Sequence, residues 1–141
     1  TDPSVTALAE ELAEALGGRA LPTDAAVHDA AAGCVSHLPV LLAASLALLA
    51  GRELEKNPLV PLLAAGGFRD TTRVAGGPPW LGADMAVTNG EQVKRLAGEY
   101  RAILDRLLLA TPGELEALLG QASAFREEMF AGKKRWAGEK R

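Results

Sequence analysis

Two short segments of this chain carry polar and charged side chains where the neighbouring residues are apolar. The first is HDAAAGCVSHLP, from His28 to Pro39, and the second is GGFRDTTR, from Gly66 to Arg73. A helical protein does not need imidazole, carboxylate and guanidinium groups there for stability, because a buried polar group costs free energy unless it is paired. The two segments are therefore the candidates for a functional site.

The second segment contains the charges with the clearest chemistry. Arg69 and Arg73 are four residues apart, so they share a face if the segment is helical, and Asp70 stands three residues before Arg73. A planar guanidinium binds a carboxylate through two parallel hydrogen bonds. Two arginines beside glycine-rich loops therefore predict a carboxylate clamp. The alternative is a solvated ion pair, which contributes less than about 1 kcal/mol.

The first segment indicates a site less directly. At helical spacing Asp29, Gly33, Ser36 and Val40 share one face, and His37 lies on a neighbouring face beside Pro39. A face of small and polar residues admits either a packed neighbour or a ligand. The alternative for the two histidines is hydrogen bonding to the backbone within the core.

Composition excludes several classes of site. Cys34 is the only cysteine and the chain has two histidines, so we expect neither an intrachain disulfide nor a zinc site. Cys34 stands among alanines and glycines and is predicted to be a small buried residue. A net charge of -3 gives no reason to expect a nucleic acid partner. The basic run that begins at Lys133 is predicted to be a solvated tail.

The chain shows no signal peptide pattern and no phosphate-binding loop. Its apolar run from Leu38 to Gly51 is too short to cross a bilayer and predicts a buried helix. We therefore expect a cytoplasmic protein with no membrane partner.

The elements that must position these residues are predicted to be helices. Of the 141 residues, 48% are hydrophobic but only 4% are aromatic, so alanine and leucine dominate, and both favour helices. The pattern predicts an all-α bundle of about five or six helices, with a kink before Pro39. Two long apolar stripes, which begin at Val93 and at Leu115, would be buried best against a second copy, so we expect a homodimer.

Helix start and stop signals place the predicted elements along the chain. In the first half of the chain these signals predict helices from Asp2 to Gly17, from Thr23 or Asp24 to about Ala50, and from Asn57 to Ala65. In the second half they predict helices over Arg69–Val74 and Asp84–Thr88, from Asn89 or Gly90 to about Ala110, and from Thr111 onward. Arg19 to Pro22 is predicted to be an extended connector or a strand.

The order H-D-x6-S-H-L-P, then G-F-R-D-T-T-R, then G-G-x-P followed ten residues later by Asn89, resembles the C-terminal domain of the prephenate/arogenate dehydrogenase family. The resemblance covers roughly Ala20 to Leu109. It implies an all-α domain that forms an intertwined dimer, joined in the family to an N-terminal Rossmann domain that binds NAD or NADP. By this resemblance, residues 1–22 are the helix and strand that connect to that missing domain, and residues 23–141 are the dimerisation and substrate-binding domain.

The resemblance also implies a reaction, the oxidative decarboxylation of prephenate or arogenate in tyrosine biosynthesis. A hydride leaves the ring carbon that bears the hydroxyl, and the ring carboxylate leaves as carbon dioxide. The histidine that polarises the hydroxyl belongs to the other domain, so this chain is expected to hold no catalytic residue and to be inactive alone. By motif position, Arg73 binds a substrate carboxylate and Asp70 orients Arg73 or gates the cleft, with Arg69 and His37 as further substrate-binding candidates.

Two positions depart from the family pattern. Many members have histidine where this chain has Val40 and tryptophan where it has Gly82, and both groups belong to the substrate pocket in those members. The S-H-L-P-V pattern resembles the branch that prefers arogenate and uses NADP. His28 and Asp29 look structural. An alternative function is a non-catalytic helical dimer that binds an aromatic carboxylate as a regulatory module, and a third is a purely structural bundle.

Overall fold

The computed structural model describes the backbone of residues 2–138 and the side chains of residues 2–132. The predicted basic tail, from Lys133 onward, lies outside the described side chains. Within the described residues every regular element is helical and none is a strand, which confirms the all-α class. The chain divides into two compact units, Thr1–Val93 and Lys94–Arg141.

The first unit carries most of the elements. In chain order the elements are α1 (Pro3–Ala15), α2 (Ala25–Ala32), a π-helical segment (Gly33–His37), α3 (Leu38–Leu54), α4 (Val60–Leu63), α5 (Gly66–Thr72), a 3-10 turn (Arg73–Gly76), α6 (Pro79–Thr88), α7 (Gly90–Leu109) and α8 (Pro112–Gly138). The segments outnumber the predicted helices because the second predicted helix is divided into α2, the π-helical segment and α3, and because a separate 3-10 turn follows α5. Helix α6 begins at Pro79, five residues earlier than the helix predicted from Asp84.

Local signals account for the ends of the first two helices. The Asp2 carboxylate accepts a hydrogen bond from the Ser4 amide at 2.9 Å, and Asp24 accepts one from the Ala26 amide at 2.8 Å. Each bond satisfies an amide that has no partner within its helix. Gly17 follows α1 with a φ of 77°, a left-handed conformation that glycine adopts readily. Residues 18–24 form an irregular connector, one of the two predicted alternatives.

The irregularity predicted before Pro39 takes the form of the π-helical segment Gly33–His37. Proline has no amide hydrogen to donate, and its ring crowds the carbonyl four residues earlier, which is that of Val35. A π-helical segment widens the turn and accommodates one extra residue without ending the helix. Helices α2 and α3 therefore continue through it as one helix, Ala25–Leu54.

This continuous helix corrects the length inferred from the apolar run alone. It has 30 residues with a mean hydropathy of 1.9 over its most apolar window, so by length and composition it is able to span a membrane. A core or interface helix of a water-soluble protein passes the same test. Its polar side chains, which include His28, Asp29 and His37, set it apart from a uniformly apolar span.

Cys34 is exposed, which corrects the prediction that it is buried. Successive residues of a helix point about 100° apart, and the residue before it, Gly33, is the buried one. Val35, on its other side, is 67% exposed. The alanine-rich context of Cys34 therefore reflects helix propensity rather than burial.

Helix α8 begins with a capping box that gives a testable pH dependence. The Thr111 hydroxyl and amide donate to Glu114 Oε2 at 2.6 and 2.9 Å, and these bonds hold the pKa of Glu114 below its usual value. Because the folded pKa is the lower one, the stabilisation is present above the unfolded pKa and disappears as the pH falls through the folded pKa.

We expect Thr111→Val to move the pKa of Glu114 back toward its usual value, because the hydroxyl supplies the larger effect. Thr111→Ser keeps the hydroxyl and is the matched control. Carboxyl chemical shifts of Glu114, followed by NMR through an acid titration, measure the change. An identical titration midpoint in wild type and Thr111→Val contradicts this account of the cap.

Candidate functional site

Within the first unit, helix α3, the 3-10 turn and helix α6 enclose a groove of about 390 Å³. Val40 and Leu41 contribute from α3, Val74 from the 3-10 turn, and Leu81 and Met85 from α6. The groove is predominantly apolar, and binding sites for small organic molecules are concave and mostly apolar with a few polar groups at fixed positions.

The two positions that depart from the family pattern lie against each other in this groove. A Cβ atom added at Gly82 would lie 3.1 Å from Val40 Cγ1, closer than ordinary van der Waals contact. A bulky residue at position 82 therefore requires a change at position 40. Trp80, considered as a pocket residue from the sequence, is 70% exposed and is not part of the groove lining.

Helix α5 is held locally by its threonines. The Thr71 hydroxyl donates to the Gly67 carbonyl and the Thr72 hydroxyl to the Phe68 carbonyl, each at 2.7 Å. These bonds to the preceding turn are the usual way for threonine to satisfy its hydroxyl within a helix. The hydroxyls of the R-D-T-T-R motif are thus used by the backbone, which leaves the charged groups as its chemically available part.

Arg69, Asp70 and Arg73 are all exposed. Among the described residues none of the three forms an ion pair, so Asp70 and Arg73 do not pair despite their spacing. Arg73 begins the 3-10 turn, and the next residue, Val74, lines the groove. Arg73 is therefore adjacent in sequence to a groove-lining residue but is not itself part of the lining. The substrate-binding roles of the three residues stay predictions.

His37 lies at the end of the π-helical segment and is half-buried. Its Nδ1 is 3.2 Å from the Asn89 Nδ2, which also donates to the backbone carbonyl of Asp29 at 2.7 Å. Asn89 itself is 8% exposed and ends helix α6. One buried amide therefore joins α6 to both ends of the polar segment of the long helix.

The π-helical segment explains why Asn89 reaches both Asp29 and His37. In a regular α-helix Ser36, seven residues after Asp29, would share its face, and His37 would lie roughly 80° away. The extra residue held by the π-helical segment moves His37 into that place and turns Ser36 outward, where it is exposed. Of the predicted common face, Gly33 is buried, whereas Asp29 and Ser36 are both exposed.

Sequence reasoning did not identify Asn89 as a site residue. In the sequence, Asn89 serves only to define the spacing after the G-G-x-P motif and as a possible first residue of a helix. The available signal was an amide side chain at the junction of two helices, opposite a polar segment, in a chain that has only one other asparagine. A buried amide needs partners, and those partners are the groups near His37.

His28 differs from His37. Its Nδ1 lies 3.0 Å from the Asp29 carboxylate, and the two side chains are 65% and 53% exposed. Neither lines the groove. This exposed pair agrees with the interpretation that both are structural, with Asp29 acting through its backbone carbonyl.

Comparison with known proteins identifies the family. Residues 24–114 match the model of the prephenate dehydrogenase dimerization domain. The prephenate dehydrogenase of Lactococcus lactis subsp. cremoris is 34% identical over 99 residues, which cover 70% of this chain and 28% of that protein. The cyclohexadienyl dehydrogenase of Zymomonas mobilis is 33% identical over 98 residues, which cover 69% and 33%.

The crystal structure of Synechocystis arogenate dehydrogenase superposes with a TM-score of 0.80 at 35% identity and covers 92% of this chain. This chain spans 49% of that structure and about a third or less of the two curated relatives. Because the family model covers well over half of the chain, with the histidine segment and the R-D-T-T-R motif inside the match, the chain belongs to the prephenate dehydrogenase family, in the region of its dimerization domain.

Proposed function

We propose that this chain is the substrate-binding and dimerising part of an NAD(P)-dependent dehydrogenase that oxidatively decarboxylates prephenate or arogenate in tyrosine biosynthesis. The observation that carries the proposal is an apolar groove in a chain of this family, with Arg73, which forms no ion pair among the described residues, one position before the groove-lining Val74. The relatives' names, which include prephenate, cyclohexadienyl and arogenate dehydrogenase, support the reaction class.

The groove and the arginine suit the two parts of such a substrate. The apolar walls from α3 and α6 accept a six-membered carbon ring, and the Arg73 guanidinium forms two hydrogen bonds with a carboxylate. Arg69 stands on the preceding turn as a second cation. His37, at the end of the π-helical segment, is a further hydrogen-bonding group and does not itself line the groove.

The nicotinamide cofactor requires residues beyond those described. A dinucleotide is held by a glycine-rich turn between a strand and a helix, and the described residues contain no strand. We therefore assign NAD or NADP, and the group that polarises the substrate hydroxyl, to a nucleotide-binding domain outside this chain. The role of this chain is to hold and orient the substrate.

A homodimer follows from the apolar surface of the long helices. The stripe of α7 starts at the buried Val93, but Ile103 is 60% exposed and Leu108 is 73% exposed. On α8, Phe125 is 64% exposed. Apolar surface of this extent marks an interaction site. The match to a dimerization domain supports the proposal that the partner is a second copy of this chain. We propose that this copy, rather than lipid, also covers Ala25–Leu54 in a cytoplasmic protein.

We propose a preference for arogenate and NADP, because the pattern at Val40 and Gly82 resembles the branch of the family that has this preference. The two positions carry neither the histidine nor the tryptophan of many family members, and they are matched in size to each other. This part of the groove is therefore less polar than in those members. The residues at positions 40 and 82 bear on substrate preference, and the reaction class does not depend on them.

A steady-state assay of the complete protein with prephenate and with arogenate, each with NAD and with NADP, tests the proposed function. We expect turnover of at least one substrate, with arogenate and NADP preferred, and no turnover by the 141-residue chain alone. If no combination reacts but an aromatic carboxylate still binds, the reaction class is wrong and the regulatory alternative replaces it.

A further inference from the structure

The side-chain amide of Asn89 is buried between two groups of the long helix. Its Nδ2 lies 2.7 Å from the Asp29 carbonyl oxygen and 3.2 Å from the His37 Nδ1. The same residue ends α6, and its own carbonyl accepts from the Val93 amide at 3.0 Å as α7 begins. Asn89 is therefore held through both its backbone and its side chain.

The carbonyl of Asp29 determines which way this amide is turned. A carbonyl oxygen only accepts hydrogen bonds, so the atom 2.7 Å from it must be the NH2 group of Asn89 and not its oxygen. That nitrogen has two hydrogens, one for the Asp29 carbonyl and one for the His37 ring. Because the amide nitrogen cannot accept, the His37 Nδ1 must accept.

A neutral imidazole that accepts at Nδ1 carries its hydrogen on Nε2. Among the described residues, no group has a hydrogen bond with the His37 Nε2. The ring therefore offers one oriented donor and no acceptor. A ring of that kind is able to donate a hydrogen bond from Nε2 to an oxygen atom, and in this neutral form it does not act as a base at Nε2.

We propose that Asn89 is a positioning residue that fixes the tautomer of His37, so that the His37 Nε2–H donates a hydrogen bond to an oxygen atom of the bound substrate. The identity of the recipient rests on the proposed function, whereas the tautomer rests on the Asp29–Asn89–His37 geometry alone. Asn89 thereby links the junction of α6 and α7 to the polar segment of the long helix.

His28 provides an internal contrast, because the chain has no other histidine. The His28 Nδ1 faces the Asp29 carboxylate at 3.0 Å. A carboxylate accepts, so this contact favours the hydrogen on Nδ1 of His28 when the ring is neutral. The two histidines are therefore expected to favour opposite tautomers.

The test is a long-range ¹⁵N–¹H correlation spectrum of the histidine-labelled chain at a pH where both rings are neutral. We expect the Nε2–H pattern for His37 in the wild type, which requires no substitution and therefore no assumption about folding of a variant. Asn89→Asp reverses the polarity of the contact, since a carboxylate only accepts, and should shift His37 toward the Nδ1–H pattern. An Nδ1–H pattern in the wild type, or an unchanged pattern in a folded Asn89→Asp variant, overturns the proposal.

Asn57→Asp is the matched control. The Asn57 side chain accepts from the Leu59 amide at 3.0 Å, a role that a carboxylate keeps, so the same exchange should leave the His37 pattern unchanged. Circular dichroism of both variants reports whether the helices are retained.

Steady-state kinetics of the complete protein test whether Asn89 affects substrate binding through His37. We expect Asn89→Asp to lower kcat/KM about tenfold, mainly through KM, as the loss of one hydrogen bond to substrate predicts. In a His37→Ala background the same exchange should have no further effect, because its target is gone. An undiminished effect in that background shows that Asn89 does not act through His37. If the wild-type protein turns over neither substrate, the proposed function fails while the tautomer is still decided by the spectrum.

Discussion

Replacing Arg73 by alanine is expected to lower kcat/KM of the complete protein by about two orders of magnitude, roughly 3 kcal/mol of transition-state binding. The guanidinium is exposed and forms no ion pair among the described residues, so its removal should leave the fold intact. What is lost is the pair of charge-assisted hydrogen bonds to a carboxylate. Steady-state kinetics with the preferred substrate and cofactor measure the loss.

Two further variants separate the fork geometry from the charge. Arg73→Lys keeps the positive charge but not the planar fork, so we expect a loss between those of wild type and Arg73→Ala. Arg52→Ala, an exposed arginine of α3 that does not line the groove, is the matched control and should retain wild-type kinetics. If Arg73→Ala stays within about twofold of wild type, the carboxylate-clamp interpretation is wrong.

Replacing Ile103 by aspartate is expected to convert the proposed homodimer to a monomer at micromolar concentration. Ile103 lies on the apolar stripe of α7 and is 60% exposed in the single chain, so the change should spare the monomer fold. In the dimer the same position would bury an unpaired charge, which costs about 3 to 5 kcal/mol, a hundredfold or more in the dissociation constant. Sedimentation velocity across a concentration series measures the shift.

Leu16→Asp is the control for this substitution. Leu16 is 80% exposed and lies before residue 24, where the match to the dimerization domain begins. The same exchange there should leave the mass of the assembly unchanged. A wild-type chain that sediments as a monomer, or an Ile103→Asp variant that dimerises as tightly as wild type, contradicts the proposed interface.

The features that were predictable from sequence are those governed by neighbouring residues. The caps by Asp2 and Asp24 and the capping box of Thr111 and Glu114 depend on groups two or three positions apart, which a sequence displays directly. The same holds for the irregularity before Pro39, because the missing amide hydrogen is a property of that residue.

The features that escaped prediction depend on groups far apart in the chain. Pro39 indicates a defect but not whether it becomes a kink or a π-helical segment, and only the latter aligns His37 with Asp29. The contact of Asn89 with His37 spans 52 positions, and the contact between Gly82 and Val40 depends on how α6 packs on α3. The exposure of Cys34 likewise reflects which side of the helix finds a neighbour. Tertiary packing decides each of these.

We propose that this chain holds the substrate through Arg73, the residue before the groove-lining Val74. A crystal structure of the complete protein with the aromatic product of its reaction tests that claim most directly. We expect a product carboxylate roughly 2.8 Å from the Arg73 guanidinium, with the ring against the wall formed by Val40 and Gly82. A product whose side-chain carboxylate, the one that survives the decarboxylation, is bound only by groups outside this chain, with the groove empty, would contradict it.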